Sequence, residues 1–193
     1  MKNNFLKIVG TLMLMFSSSY AEIAYTNILL GVEGGYSLLD HKYTQVNGAQ
    51  NSGETDFMSF GLKAGAETKS MKTLFNVNYY NDPSALYDYL ITYGLEVQYK
   101  FFTIDMLNIY LGLGGGFSHT KVSIDGEASS RKIDTPYVGA SLGSNIHLGD
   151  SFDLELGARV NAMQSENAEY DSSYKIGNII TGYASIIYKW NLN

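Results

Sequence analysis

Eight charged side chains stand at alternate positions within otherwise apolar or small-residue segments: Glu33, Lys63, Glu67, Glu96, Lys100, Asp153, Glu155 and Arg159. A charge held in such surroundings costs several kcal/mol unless it is paired and hydrogen-bonded. The pattern therefore points to an interior salt-bridge network. Counted from the starts of their segments, Glu33, Lys63, Glu96 and Arg159 fall near mid-height, and Glu67, Lys100 and Glu155 nearer one end. Residues four apart on one strand are separated by about 13 Å, so partners must come from different strands. The other chemistry this set could perform is a gated ion path. Gly112-Leu113-Gly114-Gly115-Gly116 superficially suggests a phosphate loop, but no helix follows and the Lys-Ser/Thr pair is missing. His41, His119 and His147 fall on a loop, a strand end and an interior position, so no metal centre or cofactor is expected.

The elements that must hold these charges repeat with a period of two. Sixteen Tyr, nine Phe and twenty Gly against two Pro favour strands over helices. From Asn27 to Leu38, Ile28, Leu30, Val32, Tyr36 and Leu38 oppose Leu29, Gly31, Glu33, Gly35 and Ser37. Phe57–Glu67, Thr73–Tyr80, Tyr87–Phe101, Asn108–His119, Thr135–Leu148 and Phe152–Met163 repeat the division, and an eighth strand runs from about Ile176 to Trp190. Linkers after odd strands are Leu39–Asp56, Asn81–Leu86, Thr120–Lys132 and Gln164–Lys175; those after even strands are Thr68–Lys72, Phe102–Leu107 and Gly149–Ser151. Three of the four odd linkers are long and all the even ones short, as in transmembrane barrels with short periplasmic turns and long extracellular loops.

The first 21 residues carry Lys2 and Lys7, an apolar run from Ile8 to Phe16, and then Ser19-Tyr20-Ala21. They read as a secretory signal peptide cleaved near Ala21, leaving one domain over 22–193. Without Lys2 and Lys7 the chain keeps 11 of its 13 basic residues against 19 acidic ones, a net charge of about −8, which argues against a nucleic-acid partner. No cysteine is present, so stability rests on packing and hydrogen bonds. With 45% hydrophobic residues and a mean hydropathy of −0.09, the chain after the leader contains no helical transmembrane segment.

Alternation alone leaves open which face is inside. Residue size decides: Gly, Ser and Asn accompany the charges, as a crowded axis requires, and bulky residues occupy the other face. That arrangement is an all-β, eight-stranded antiparallel up-and-down transmembrane β-barrel. Aromatic residues then form two belts at the levels of the bilayer interfaces, Tyr36, Tyr79, Tyr87, Tyr89 and Phe117 outside and Tyr99, Phe101, Phe152, Tyr188 and Trp190 on the periplasmic side. An eight-stranded barrel has room only for its own side chains, which favours a plugged lumen over a pore.

From Asn27 to Trp190 the chain resembles the small outer-membrane β-barrel family that includes the opacity-protein-like porins and the transmembrane domain of outer-membrane protein A. The leader, strand count, loop alternation and final strand, Thr181 to Trp190, carry the likeness. Ile186, Tyr188 and Trp190 resemble the family's C-terminal assembly signal, although Asn191-Leu192-Asn193 follow here. The resemblance implies residence in the bacterial outer membrane among lipid and lipopolysaccharide, and handling by the assembly machinery. It further implies a role in envelope integrity or in adhesion to a surface or host ligand through loops 39–56 and 164–175. The alternative is a narrow porin-like channel for ions or small solutes. Lipid A deacylases and acyltransferases are also eight-stranded barrels, and His119 with Ser118 or Ser123 is the local candidate for such a centre. The His-x-Ser-Asn arrangement is absent, so no enzyme is expected.

Overall fold

A period-two pattern with one bulky apolar face produces strands, and the described residues form eight. The structure, a computed structural model, describes residues 27–44, 50–81, 87–122, 131–169 and 172–192. The expected leader lies outside them. The strands are β1 (Asn27–Thr44), β2 (Gln50–Glu67), β3 (Met71–Asn81), β4 (Tyr87–Ile104), β5 (Leu107–Val122), β6 (Arg131–His147), β7 (Phe152–Glu169) and β8 (Ser172–Asn191). Each pairs antiparallel with the next and β8 returns to β1, closing an up-and-down barrel.

Register sets the diameter. Stepping sideways from Asn27 leads through Glu67, Lys72, Gln98, Gly112, Ser141, Arg159 and Thr181. The walk re-enters β1 at Ser37, ten residues from its start. Eight strands with this stagger tilt by about 40° and enclose only enough space for interior side chains.

At one end the connections are tight. Thr68–Ser70 joins β2 to β3, with Thr68 Oγ1 accepting from the Met71 amide at 3.1 Å, and Asp105-Met106 joins β4 to β5. Between β6 and β7 the chain turns through Gly149, whose φ of 88° is accessible to glycine without steric cost.

The two faces separate as residue size requires. Leu62 is 64% exposed and Trp190 65%, whereas neighbouring Lys63 and Lys189 are 2% and 9% exposed. On β1 the outward apolar run extends from Ile28 to Leu38. Such a run of tilted strand spans about 25 Å, the height of a bilayer's apolar band. A bulge between Lys100 and Phe102 breaks the alternation, so Phe101 and Phe102 both face outward. The extra residue re-aims a ring that strict alternation would drive into the lumen.

The strands run further than the apolar pattern. β1 and β2 continue pairing to Thr44↔Gln50, and β7 and β8 to Glu169↔Ser172. The expected loops 39–56 and 164–175 are therefore mostly strand, with only 45–49 and 170–171 left between elements. Beyond the belt the sequence loses the apolar–polar alternation, so the hydrophobic signal vanishes although backbone pairing continues.

At this end the ring divides into two sheets. The β2–β3 register stops at Met58↔Asn81, the β3–β4 register at Tyr80↔Leu90, and the β6–β7 register at Tyr137↔Met163. Past those levels β7-β8-β1-β2 form one sheet and β4-β5-β6 another.

Candidate functional site

The lumen is the place where charge is concentrated, and the barrel closure brings distant strands together there. Arg159 on β7 reaches Glu33 on β1 through two parallel bonds, Nη1 to Oε1 and Nη2 to Oε2, both 3.2 Å. Such a fork fixes geometry as well as charge. Lys63 on β2 lies between two carboxylates, 2.7 Å from Glu33 and 2.6 Å from Glu155. Arg159 also stands 3.5 Å from Glu96. Glu96 accepts further bonds from Asn76, Gln98 and Ser141 at 3.0, 3.0 and 2.6 Å. The Tyr183 ring takes Lys63 Nζ at 4.4 Å and Arg159 Cζ at 4.6 Å from its centroid, so both cations contact one aromatic ring.

A second ionic tier lies toward the tight turns. Asp153 meets Lys189 at 2.8 Å, His147 Nδ1 at 2.6 Å and Lys72 at 3.5 Å. Lys72 also donates to Asn145 at 2.6 Å and lies 3.8 Å from Glu155. Lys100 pairs with Glu67 at 3.1 Å and donates to the Thr68 carbonyl at 2.8 Å.

Of the charges read from sequence, Glu33, Lys63, Glu96, Glu155 and Arg159 thus share one cluster, while Glu67 and Lys100 form a separate pair near the turns. Glu155 stands between the mid-height cluster and the tier toward the turns, because the stagger of the strands sets β7 against β2 and β3. It also joins the tiers, contacting Lys63 and Lys72. Lys72 and Lys189 were missed as lumen residues. The signal for both was available: extending the alternation back from Asn76 puts Lys72 inside, and outward Tyr188 and Trp190 put Lys189 inside. With these two, the described lumen ion pairs involve five acidic and five basic side chains besides His147.

The interior is mostly polar, with two apolar exceptions. Leu29, Leu74 and Ile187 form a small apolar patch near the turns. Near the other end, Leu39, Phe57, Tyr80, Leu90, Tyr137, Met163 and Ile179 make a buried apolar layer, at the level where the barrel divides into two sheets. Seven of the strands contribute one side chain each and bury them against one another, which a strand-by-strand reading does not reveal.

Glycines make room for the bulky interior groups. A Cβ at Gly143 or Gly157 would collide with Tyr110, whose hydroxyl meets that of Tyr183 at 2.6 Å. The Gly112–Gly116 run is strand, and its inward positions face Glu96, Ser141 and neighbouring backbone. A cavity of about 20 Å³ adjoins Asn76, Glu96, Arg159 and Asn161. Asn76 Oδ1 and Arg159 Nε are buried there without protein partners.

Outside, Tyr36, Tyr79 and Phe117 are exposed at one level and Tyr99, Phe101, Phe152, Tyr188 and Trp190 at the other. Tyr36 donates to Asp56 at 2.6 Å, and Phe152 meets Tyr188 edge-on at 5.2 Å. Tyr93, packed 6.1 Å from Phe117, adds an aromatic that the sequence reading did not assign to a belt. Tyr89 stacks on His119, and the side chain of Tyr87 lies outside those described. His119 contacts Asp134 on the outer face, whereas Ser118 is buried on the lumen face against Thr120. Successive strand residues point to opposite sides, so the candidate pair His119 and Ser118 does not meet. Ser123 lies outside the described residues.

No family model matches the chain, and no curated protein matches it in sequence. Solved structures do match in shape. The crystal structure of Neisserial surface protein A is similar with a TM-score of 0.58 and 18% identity, covering 84% of this chain and 97% of that one. The N-terminal β-barrel domain of Pseudomonas aeruginosa OprF gives 0.52 and 12%, covering 82% and 97%. The outer membrane protein AlkL, solved in lipid bilayers, gives 0.51 and 15%, covering 90% and 94%. The fold is that of the small eight-stranded outer-membrane barrels.

Proposed function

We propose that this chain is a bacterial outer-membrane barrel whose lumen is closed by its own side chains, acting in envelope integrity and in surface contact through its two outer sheets. The observation that carries the reading is the reversal of polarity: large apolar side chains cover the outside while the ionic side chains of the lumen are paired within. Hydrocarbon is the solvent that suits that exterior, and its height fits one bilayer. The tight turns then face the periplasm and the extended sheets face outward. Outer-membrane lipid and lipopolysaccharide surround the belts, and Ile186, Tyr188 and Trp190 serve recognition by the assembly machinery.

The ionic tiers support an anchor over a channel, because moving ions along the axis would require breaking several buried pairs. Single-channel recording of the purified protein in planar bilayers tests this: no steady conductance is expected, and sustained openings would overturn closure. A narrow pore is favoured by one observation, the small cavity beside unpartnered Asn76 Oδ1 and Arg159 Nε, which suits a single water. The same recording separates the two. Location is tested independently by fractionating cells and comparing heated with unheated migration of the outer-membrane fraction. Terminal sequencing of that material checks cleavage after Ala21. We assign no catalytic role.

A further inference from the structure

The seam between β6 and β7 ends early. Its last pair is Tyr137↔Met163, although β6 begins at Arg131 and β7 continues to Glu169. On their other sides these segments are engaged: β6 pairs with β5 as far as Val122↔Arg131, and β7, after a bulge between Ala162 and Ser165, pairs with β8 from Ser165↔Ile176 to Glu169↔Ser172. Among the described residues, two strand edges therefore face one another without pairing. Each such edge presents backbone donors and acceptors in a row, a template for another strand.

The two edges are not equivalent. Pro136 lies in the unpaired stretch of β6 and has no N–H to offer, which blunts that edge. Gln164–Glu169 contains no proline. The sheet to which it belongs, β7-β8-β1-β2, carries Asp40, Glu54, Asp56, Glu166 and Glu169 beyond the belt, against Lys42 and Lys175. Below the opening, buried Tyr137 and Met163 belong to the apolar layer and form its floor.

We propose that the outer edge of β7, Gln164–Glu169, accepts a basic extended peptide as an added strand. Backbone pairing supplies the affinity, and the acidic sheet selects Lys- and Arg-bearing segments of the partner. The inference rests on the outward orientation of this end, as proposed above.

The test uses the full folded protein in detergent and a fluorescent peptide alternating Lys with Thr. Binding is expected to weaken by at least about tenfold when prolines interrupt the peptide, and similarly when Glu replaces Lys. Adjacent amides on a strand point to opposite sides, so of Asn167→Pro and Ala168→Pro one removes an N–H aimed at the seam and the other one aimed at β8. Only the seam-facing substitution should abolish binding while keeping heat-modifiable migration. Should the β8-facing variant fail to fold, Glu166→Gln with Glu169→Gln is expected to weaken binding of the Lys peptide alone. Equal binding of the interrupted peptide, or charge-independent binding, would overturn the proposal. An epitope inserted between Glu169 and Ser172 distinguishes the two readings: no antibody labelling of intact cells sinks the orientation, whereas labelling without peptide binding sinks the β7 edge alone.

Discussion

The middle of the barrel and its outer mouth follow opposite rules. In the middle, eight strands close a continuous ring with ions inside and apolar side chains outside. At the mouth the ring splits into two sheets, the interior becomes apolar, and the strand segments beyond it are mostly polar in sequence. The difference teaches which interactions hold each part. The middle depends in part on pairs such as Glu33–Arg159 and Lys63–Glu155 that exist only in the closed ring, and the mouth on local hairpin pairing above an apolar floor.

Cutting one partner from the middle should do the greatest damage. Lys63→Met leaves Glu33 and Glu155 facing each other in a buried site and is expected to destabilise by about 3–5 kcal/mol. Urea unfolding in lipid vesicles, followed by tryptophan fluorescence, would measure it. Arg159→Met combined with Glu33→Leu sharpens the point: removing both members of the fork should recover much of what Arg159→Met alone loses. Failure of the double variant to recover would show that the pair is not the unit.

The apolar floor should respond to size and not to charge. Leu90→Ala opens a cavity in that layer and is expected to cost about 2–5 kcal/mol, toward the lower figure because neighbouring side chains can collapse into the gap. The same unfolding assay applies. Next comes Gly149→Ala at the turn, where a Cβ meets a left-handed backbone, with an expected loss of about 1 kcal/mol. Smallest of all should be replacing residues 42–52 by Asn-Gly, which re-forms a two-residue hairpin near the belt. Barrel migration should be unchanged and stability should move by less than about 1 kcal/mol. A large loss would mean that the outer sheets support the ring.

How much of this was legible in the sequence depends on burial. Wherever one face meets a different environment from the other, alternation places the side chain, as for Ile28 against Glu33 or Phe60 against Lys63. Two kinds of feature escaped. Asp40–Thr44 and Gln164–Glu169 are mostly polar in sequence with no apolar alternation, so they read as loop although they are paired strand. The bulge that turns Phe102 outward, and the vertical offset that brings Glu155 to Lys63, arise from register. Register emerges when all eight strands meet, and no single segment encodes it.

The ten-residue stagger has a kinetic consequence. Glu33 and Arg159 stand 126 positions apart in sequence, and Ser37 and Thr181, which share a hydrogen bond, 144 apart. Neither contact can be rehearsed by a partial sheet, because both require β8 to have found β1. The ring should therefore form late and all at once. Until that last seam zips, the future lumen is an open trough in which Glu33 and Arg159 remain hydrated and apart, so ring closure and the drying of their ion pair become a single slow event.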